Sequence, residues 1–153
     1  MKRSGAFLAG MLMLAAAVPV CGAQNTEEKT TLTADVGSVY TVSIPADQDI
    51  VFGKEDTTLD GRLKVTGNVK PGEKVTVSAS ATAFVNQDVN GESFAFSLKS
   101  GAAEFTSMDW SEAELRAAAP KEAALTVHVP SESWAQAKAG TYKASITFRA
   151  ELK

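Results

Sequence analysis

The amino-acid sequence predicts an all-β fold, an antiparallel sandwich of about seven to nine strands with two short helical connections. Two observations carry that expectation. Apolar and polar residues alternate with a period of two through many short runs, so each sheet has one dry and one wet face. Two half-wet sheets then bury their apolar faces against each other. Helical periodicity is confined to Ser111–Ala119 and Ser131–Lys138. Both are shorter than the ten or so residues that the crossovers of a parallel sheet need.

The chain opens with a leader. Lys2 and Arg3 are followed by an apolar run from Phe7 to Val20, and Cys21-Gly22-Ala23 places small residues at the −3 and −1 positions of a cleavage site before Gln24. This is the plan of a secretory signal peptide over residues 1–23. The run is too short to span a bilayer as a stable helix. An uncut anchor and a lipidated Cys21 are the alternatives. A lipobox wants a Leu-like residue three positions before the cysteine and a small one directly before it, where Val18 and Val20 stand with Pro19 between. Residues 24–30 read as a polar, flexible N-terminus, and residues 31–153 as one sandwich domain.

Thr31–Val36 is rich in β-branched residues and forms, with the run to Ile44, a strand that one copy could donate to another. Tyr40, Val42 and Ile44 alternate with Thr41 and Ser43 until Pro45, and Ile50–Phe52 is a short apolar piece. Leu63, Val65 and Val69 mark a further strand; Pro71-Gly72 turns it into the alternation of Val75, Val77 and Ala79. Asn90-Gly91 is a hairpin signal ahead of Phe94, Phe96 and Leu98. Ser111 with Glu114 three residues on is a capping-box pattern, and Pro120 stops the helix that it opens. Leu125, Val127 and Val129 end at Pro130; the second helix opens at Ser131 and closes before Gly140. The last strand carries Tyr142, Ala144, Ile146, Phe148 and Ala150 on one face. Tyr142 follows a glycine turn, where immunoglobulin-like sandwiches send a tyrosine hydroxyl back to a nearby backbone group; a plain core aromatic is the equal alternative.

Composition limits the chemistry. Cleavage after Ala23 leaves 130 residues, no cysteine, and 13 basic against 18 acidic residues, a net charge of −5. Disulfides and Cys-ligated metal are then excluded. With no basic cluster and no second long apolar run, neither nucleic acid nor, after cleavage, a membrane is an expected partner. The single histidine, His128, lies between Val127 and Val129, and alternation turns it to the opposite face, with no base partner nearby in sequence. No nucleophile elbow, P-loop or Gly-x-Gly-x-x-Gly is present. No catalytic residue and no cofactor is therefore expected. Asp47, Asp49, Glu55, Asp56 and Asp60 crowd one inter-strand stretch, where loop carboxylates could hold calcium or simply stay solvated. Trp110 and Trp134 each lie between strands. Exposed, they would stack on sugars or anchor a protein partner; buried, they cap the core.

The segments TVSIPADQDIVFG at 41–53, LKVTGNVKPGEKVTVSAS at 63–80 and AGTYKASITFRAEL at 139–152 resemble small secreted surface proteins of Firmicutes, immunoglobulin-like sandwiches near the WxL-domain cell-surface family. The likeness covers most of residues 32–152, and the Trp-x-Leu signature itself is absent: Trp110 precedes Ser111-Glu112, and Trp134 precedes Ala135-Gln136. The resemblance implies a non-enzymatic extracellular protein of the cell envelope. Its expected role is adhesion or surface assembly through sheet edges or end loops. Expected partners are other surface proteins, cell-wall or host glycans, or further copies of itself. A carbohydrate-binding module using exposed Trp110 or Trp134 is the alternative.

Overall fold

A computed structural model describes residues 29–153. The leader, the cleavage site and Cys21 lie outside the described residues. The chain divides into two units, Met1–Ala34 and Asp35–Lys153. The six described residues of the first are without regular structure, and every strand and helix below belongs to the second.

Of the described residues 42 % are strand and 8 % helix, which makes the protein all-β as the alternation predicts. The strands are shorter and more numerous than expected. They run in the order β1 Val39–Ser43, β2 Asp56–Thr58, β3 Leu63–Asn68, β4 Lys74–Ala81, β5 Phe84–Asn86, β6 Ser93–Phe94, β7 Ser97–Ser100, β8 Ala103–Glu104 and β9 Ser107–Ser111. Helix α1 Glu112–Leu115, β10 Glu122–Ala123, β11 Thr126–His128, helix α2 Ser131–Gln136, β12 Tyr142–Lys143 and β13 Ile146–Leu152 complete the chain. They form four sheets with the strand orders β1-β3-β10, β2-β11-β7-β8, β12-β5-β6 and β13-β4-β9, every pairing antiparallel.

Two runs read as single strands are each divided. Phe94 to Leu98 splits into β6 and β7, which lie in different sheets; Tyr142 to Ala150 splits into β12 and β13 in the same way. Alternation continues unbroken across the second break, with Tyr142, Ala144, Ile146, Phe148 and Ala150 all half-buried. The chain changes sheet without changing which face is dry. Period two reports that face and is blind to which neighbour supplies the hydrogen bonds. Thr31–Val36 forms no strand among the described residues, since a β-branched run without a partner gains no ladder.

One apolar cluster serves several sheets. Leu63 and Val65 from β3, Val75 and Val77 from β4, Trp110 from β9 and Val127 from β11 are buried together with Leu125, Val129 and Leu115. Gly67 on β3 lets β1 approach: a Cβ there would stand 2.5 Å from the Val39 carbonyl oxygen and 2.7 Å from Tyr40 Cα. Helix α1 has the expected capping box, Ser111 Oγ accepting from the Glu114 N–H and the Glu114 carboxylate accepting from the Ser111 N–H at 2.8 Å. It ends at Leu115, short of Ala119. Helix α2 starts at Ser131 as expected, is capped at Pro130 with no side-chain bond, and ends at Gln136, two residues short of Lys138.

Candidate functional site

A cleft of about 810 Å³ opens at the end of the molecule where α2, the β5–β6 hairpin and the β12 strand meet the Gln48–Phe52 segment. Aromatic rings form its walls. Trp134 on α2 meets Phe52 edge-on at 5.5 Å between centroids and Phe94 at 5.1 Å. Phe94 in turn packs on Tyr142 at 4.9 Å and on Phe84 at 5.1 Å. Phe52 is 74 % exposed despite its contact with Trp134, an unusual state for a phenylalanine in a packed pair.

Each wall is fixed by hydrogen bonds, some local and some between distant parts of the chain. The Trp134 indole N–H donates to the Lys54 carbonyl at 3.1 Å, which ties α2 to the turn after Phe52. The Tyr142 hydroxyl donates to the Lys138 carbonyl at 3.0 Å, the back-bond that is one of the two equal readings of its position after a glycine turn. Asn86 is buried and joins two loops: its Oδ1 accepts from the Asp88 and Val89 N–H groups at 2.8 and 3.0 Å, and its Nδ2 reaches the Ala139 carbonyl at 3.5 Å. Gly140 rests on that amide, with φ at +148°, and a Cβ there would lie 2.6 Å from both Asn86 Nδ2 and Oδ1. Gln48 holds the opposite rim, accepting from the Asp60 N–H at 2.8 Å and donating to the Thr58 carbonyl at 3.3 Å.

Polar groups around the rim are Gln48, Asp49, Lys138 and Lys143. Lys138 pairs with Glu92, and that carboxylate pushes the ammonium above the ordinary lysine range. Such a cleft presents ring faces and edges for stacking, with one carboxylate and two ammonium groups for orientation. This is the usual composition of a recognition site, apolar walls with a few placed polar groups.

The residues singled out from sequence divide sharply. Trp134 and Asp49 line the cleft. Trp110 does not: it is 0 % exposed, packs in the core and donates to the Lys121 carbonyl at 2.8 Å, so no ligand reaches its faces. The expected calcium cluster is not assembled. Among the described residues no three His, Cys, Asp or Glu side chains converge on one point, so Asp47, Asp49, Glu55, Asp56 and Asp60 are neighbours in sequence but not around an ion. The segment turns at Phe52-Gly53 and enters β2 only at Asp56, so carboxylates that are close in sequence are set on separate stretches of backbone. His128 does find a partner. Its Nδ1 lies 2.7 Å from Asp56 Oδ1, because β2 and β11 pair with His128 opposite Asp56, and Lys99 Nζ stands 4.0 Å from the same oxygen. That carboxylate is 72 residues away in the chain, out of reach of a sequence reading.

Phe52, Phe84, Asn86, Phe94 and Lys138 are among the site residues that sequence reasoning does not single out. Asn86 carries no signal in the sequence, and Phe94 stands there only as one beat of an alternating strand. No protein-family model matches the chain, and no curated protein matches it. Among the described residues no helix is long and apolar enough to cross a membrane.

Proposed function

We propose that this protein is a non-enzymatic, secreted cell-surface protein, an immunoglobulin-like sandwich that acts in adhesion or surface assembly by holding a partner in the cleft between its end loops. The observation that carries this reading is the cleft itself, five aromatic rings around about 810 Å³ with a sparse polar rim. Aromatic side chains supply large contact area at low entropic cost, which is why they anchor partners. The signal-peptide pattern of residues 1–23 and the likeness of residues 32–152 to Firmicutes surface sandwiches support the extracellular setting.

A second reading, a carbohydrate-binding module, uses the same cleft. The exposure of Phe52 beside Trp134 favours it, since two rings meeting edge-on offer a sugar one face and one rim. Titration of intrinsic fluorescence with cell-wall glycans, host glycans and purified surface proteins tests both. We expect one of these classes to shift the Trp134 emission, and Trp134→Ala to weaken that binding by about thirtyfold or more, the loss typical of a central aromatic anchor. Equal adhesion of Trp134→Ala and the unaltered protein to the producing cells' envelope and to host surfaces would remove both readings.

A further inference from the structure

We infer that the free edge of β13 accepts Thr31–Val36 of a second copy of this chain as an added strand. β13 is bonded to β4 along one side, from Ile146 opposite Ala81 to Leu152 opposite Val75. It is the outermost strand of its sheet, and its other side pairs with no strand among the described residues. Every second residue along this seven-residue strand thus has its backbone N–H and C=O open on the free side, a template for another strand.

The edge has an apolar recess beside it. A hollow of about 360 Å³ is walled by Ile146 and Phe148 of β13, by Leu59 and Val127 across from them, and by Ile44 at the rim. A strand laid against β13 sends every second side chain to the inner face of the sheet, which is where this hollow lies.

Thr31–Val36 has the matching pattern. Leu32, Ala34 and Val36 alternate with Thr31, Thr33 and Asp35. Leu32 is 91 % and Val36 66 % exposed, so the apolar set of this segment is uncovered. The segment belongs to no strand among the described residues, and donating it breaks no ladder. Six extended residues span about 20 Å against about 23 Å for the seven of β13. On the wet face of β13 Arg149 is paired with Glu151 at 3.0 Å, so the fit of the donor rests on its apolar pattern and its length. The tether is short and fixed: Ser38 Oγ donates to the Glu73 carboxylate at 2.7 Å and accepts from the Lys70 N–H at 3.2 Å. β1 therefore keeps its pairing with β3 when Thr31–Val36 is donated.

The test uses the chain expressed with its own leader and carrying Cys21→Ser. Light scattering across concentration should show association that Leu32→Asp or Val36→Asp weakens by about tenfold or more, because a carboxylate would enter the apolar recess. Thr33→Asp, on the wet face, should change it by less than about threefold. Both apolar sites are exposed, so circular dichroism should show these variants folded. Thr33→Cys in one tagged copy and Thr147→Cys in another should form a mixed pair with a short thiol crosslinker. A monomer at every concentration, association indifferent to Leu32→Asp, or crosslinking only when both cysteines lie in one chain would each overturn the inference. Trp134→Ala should leave association unchanged, so failure here and failure of the cleft reading are separable.

Discussion

Trp110 and Trp134 each donate an indole N–H to a backbone carbonyl, Trp110 to Lys121 and Trp134 to Lys54, yet their surroundings are opposite. Trp110 sits on β9 opposite Val75 of β4, in register within a sheet whose dry face, Val75 and Val77 included, is buried in one cluster with Leu63 and Val65 of β3. Trp134 sits on a helix of six residues with no buried member; half-buried, it packs on the margin of the core and meets the rings of Phe52 and Phe94 in a cleft. The hydrogen bond is common to both; what differs is whether strands close over the ring. Where a ladder delivers the ring to a shared dry face, it becomes core. Where a short helix delivers it to a place with loops on the far side, it remains a surface.

The largest effect should come from testing that contrast directly. Trp110→Ala removes a fully buried ring and should cost about 3–5 kcal/mol of stability, enough to unfold a marginal domain. Trp134→Ala, from a half-buried site, should cost about 1–2 kcal/mol. Urea midpoints at unchanged slope measure both. Equal losses would mean that the aromatic end is packed as core and is not free for a ligand.

That difference was only half legible in the sequence. Both tryptophans lie next to a short helical stretch, Trp110 just before one and Trp134 inside one, so local pattern treats them alike. The dry face of the last strand was readable because alternation is a local property, and it survives even where Tyr142–Lys143 and Ile146–Leu152 join different sheets. The capping box at Ser111 and the Tyr142 back-bond were readable because their partners lie within four residues. The cleft was not. Phe52, Phe94 and Trp134 are separated by about forty residues each, and only the non-local pairing of strands gathers them. For the same reason the acidic run looked like a cation site in one dimension and is dispersed in three, while His128 looked solitary and is paired.

A middle-sized effect should sharpen the contrast from the aromatic side alone. Gly140→Ala places a methyl 2.6 Å from the Asn86 amide, at a positive φ that L residues rarely adopt. We expect a loss of about 1–3 kcal/mol and a rearranged loop, since Asn86 must give up its bonds to the Asp88, Val89 and Ala139 backbone. Ring-carbon resonances of Trp134 should move while those of Trp110 stay in place. Movement of both would show that the two ends are mechanically one.

The smallest effect is a pair of opposite pH responses. Near Trp110, hydrogen bonds from the Ser111 N–H and then Lys121 hold Glu114 below the usual carboxylate range, and Lys74 followed by Thr76 does the same for Asp109. Folded groups with lowered values bind fewer protons than the unfolded chain, so their contribution is present above the ordinary carboxylate range and is lost as pH falls through the lower folded values. Near Trp134 the sign reverses. Glu92 raises Lys138, so that contribution is present below the ordinary lysine range and is lost as pH rises through the higher folded value. These groups are exposed and salt screens them, so the energies are small, but the directions are distinct. Acid should move the Trp110 ring resonances first, and Glu114→Gln combined with Asp109→Asn should abolish that response. Alkali should move those of Trp134 first, and Glu92→Gln should abolish it. A shared response at either extreme would mean that titration acts through global unfolding, and the electrostatic division between the two ends would be lost.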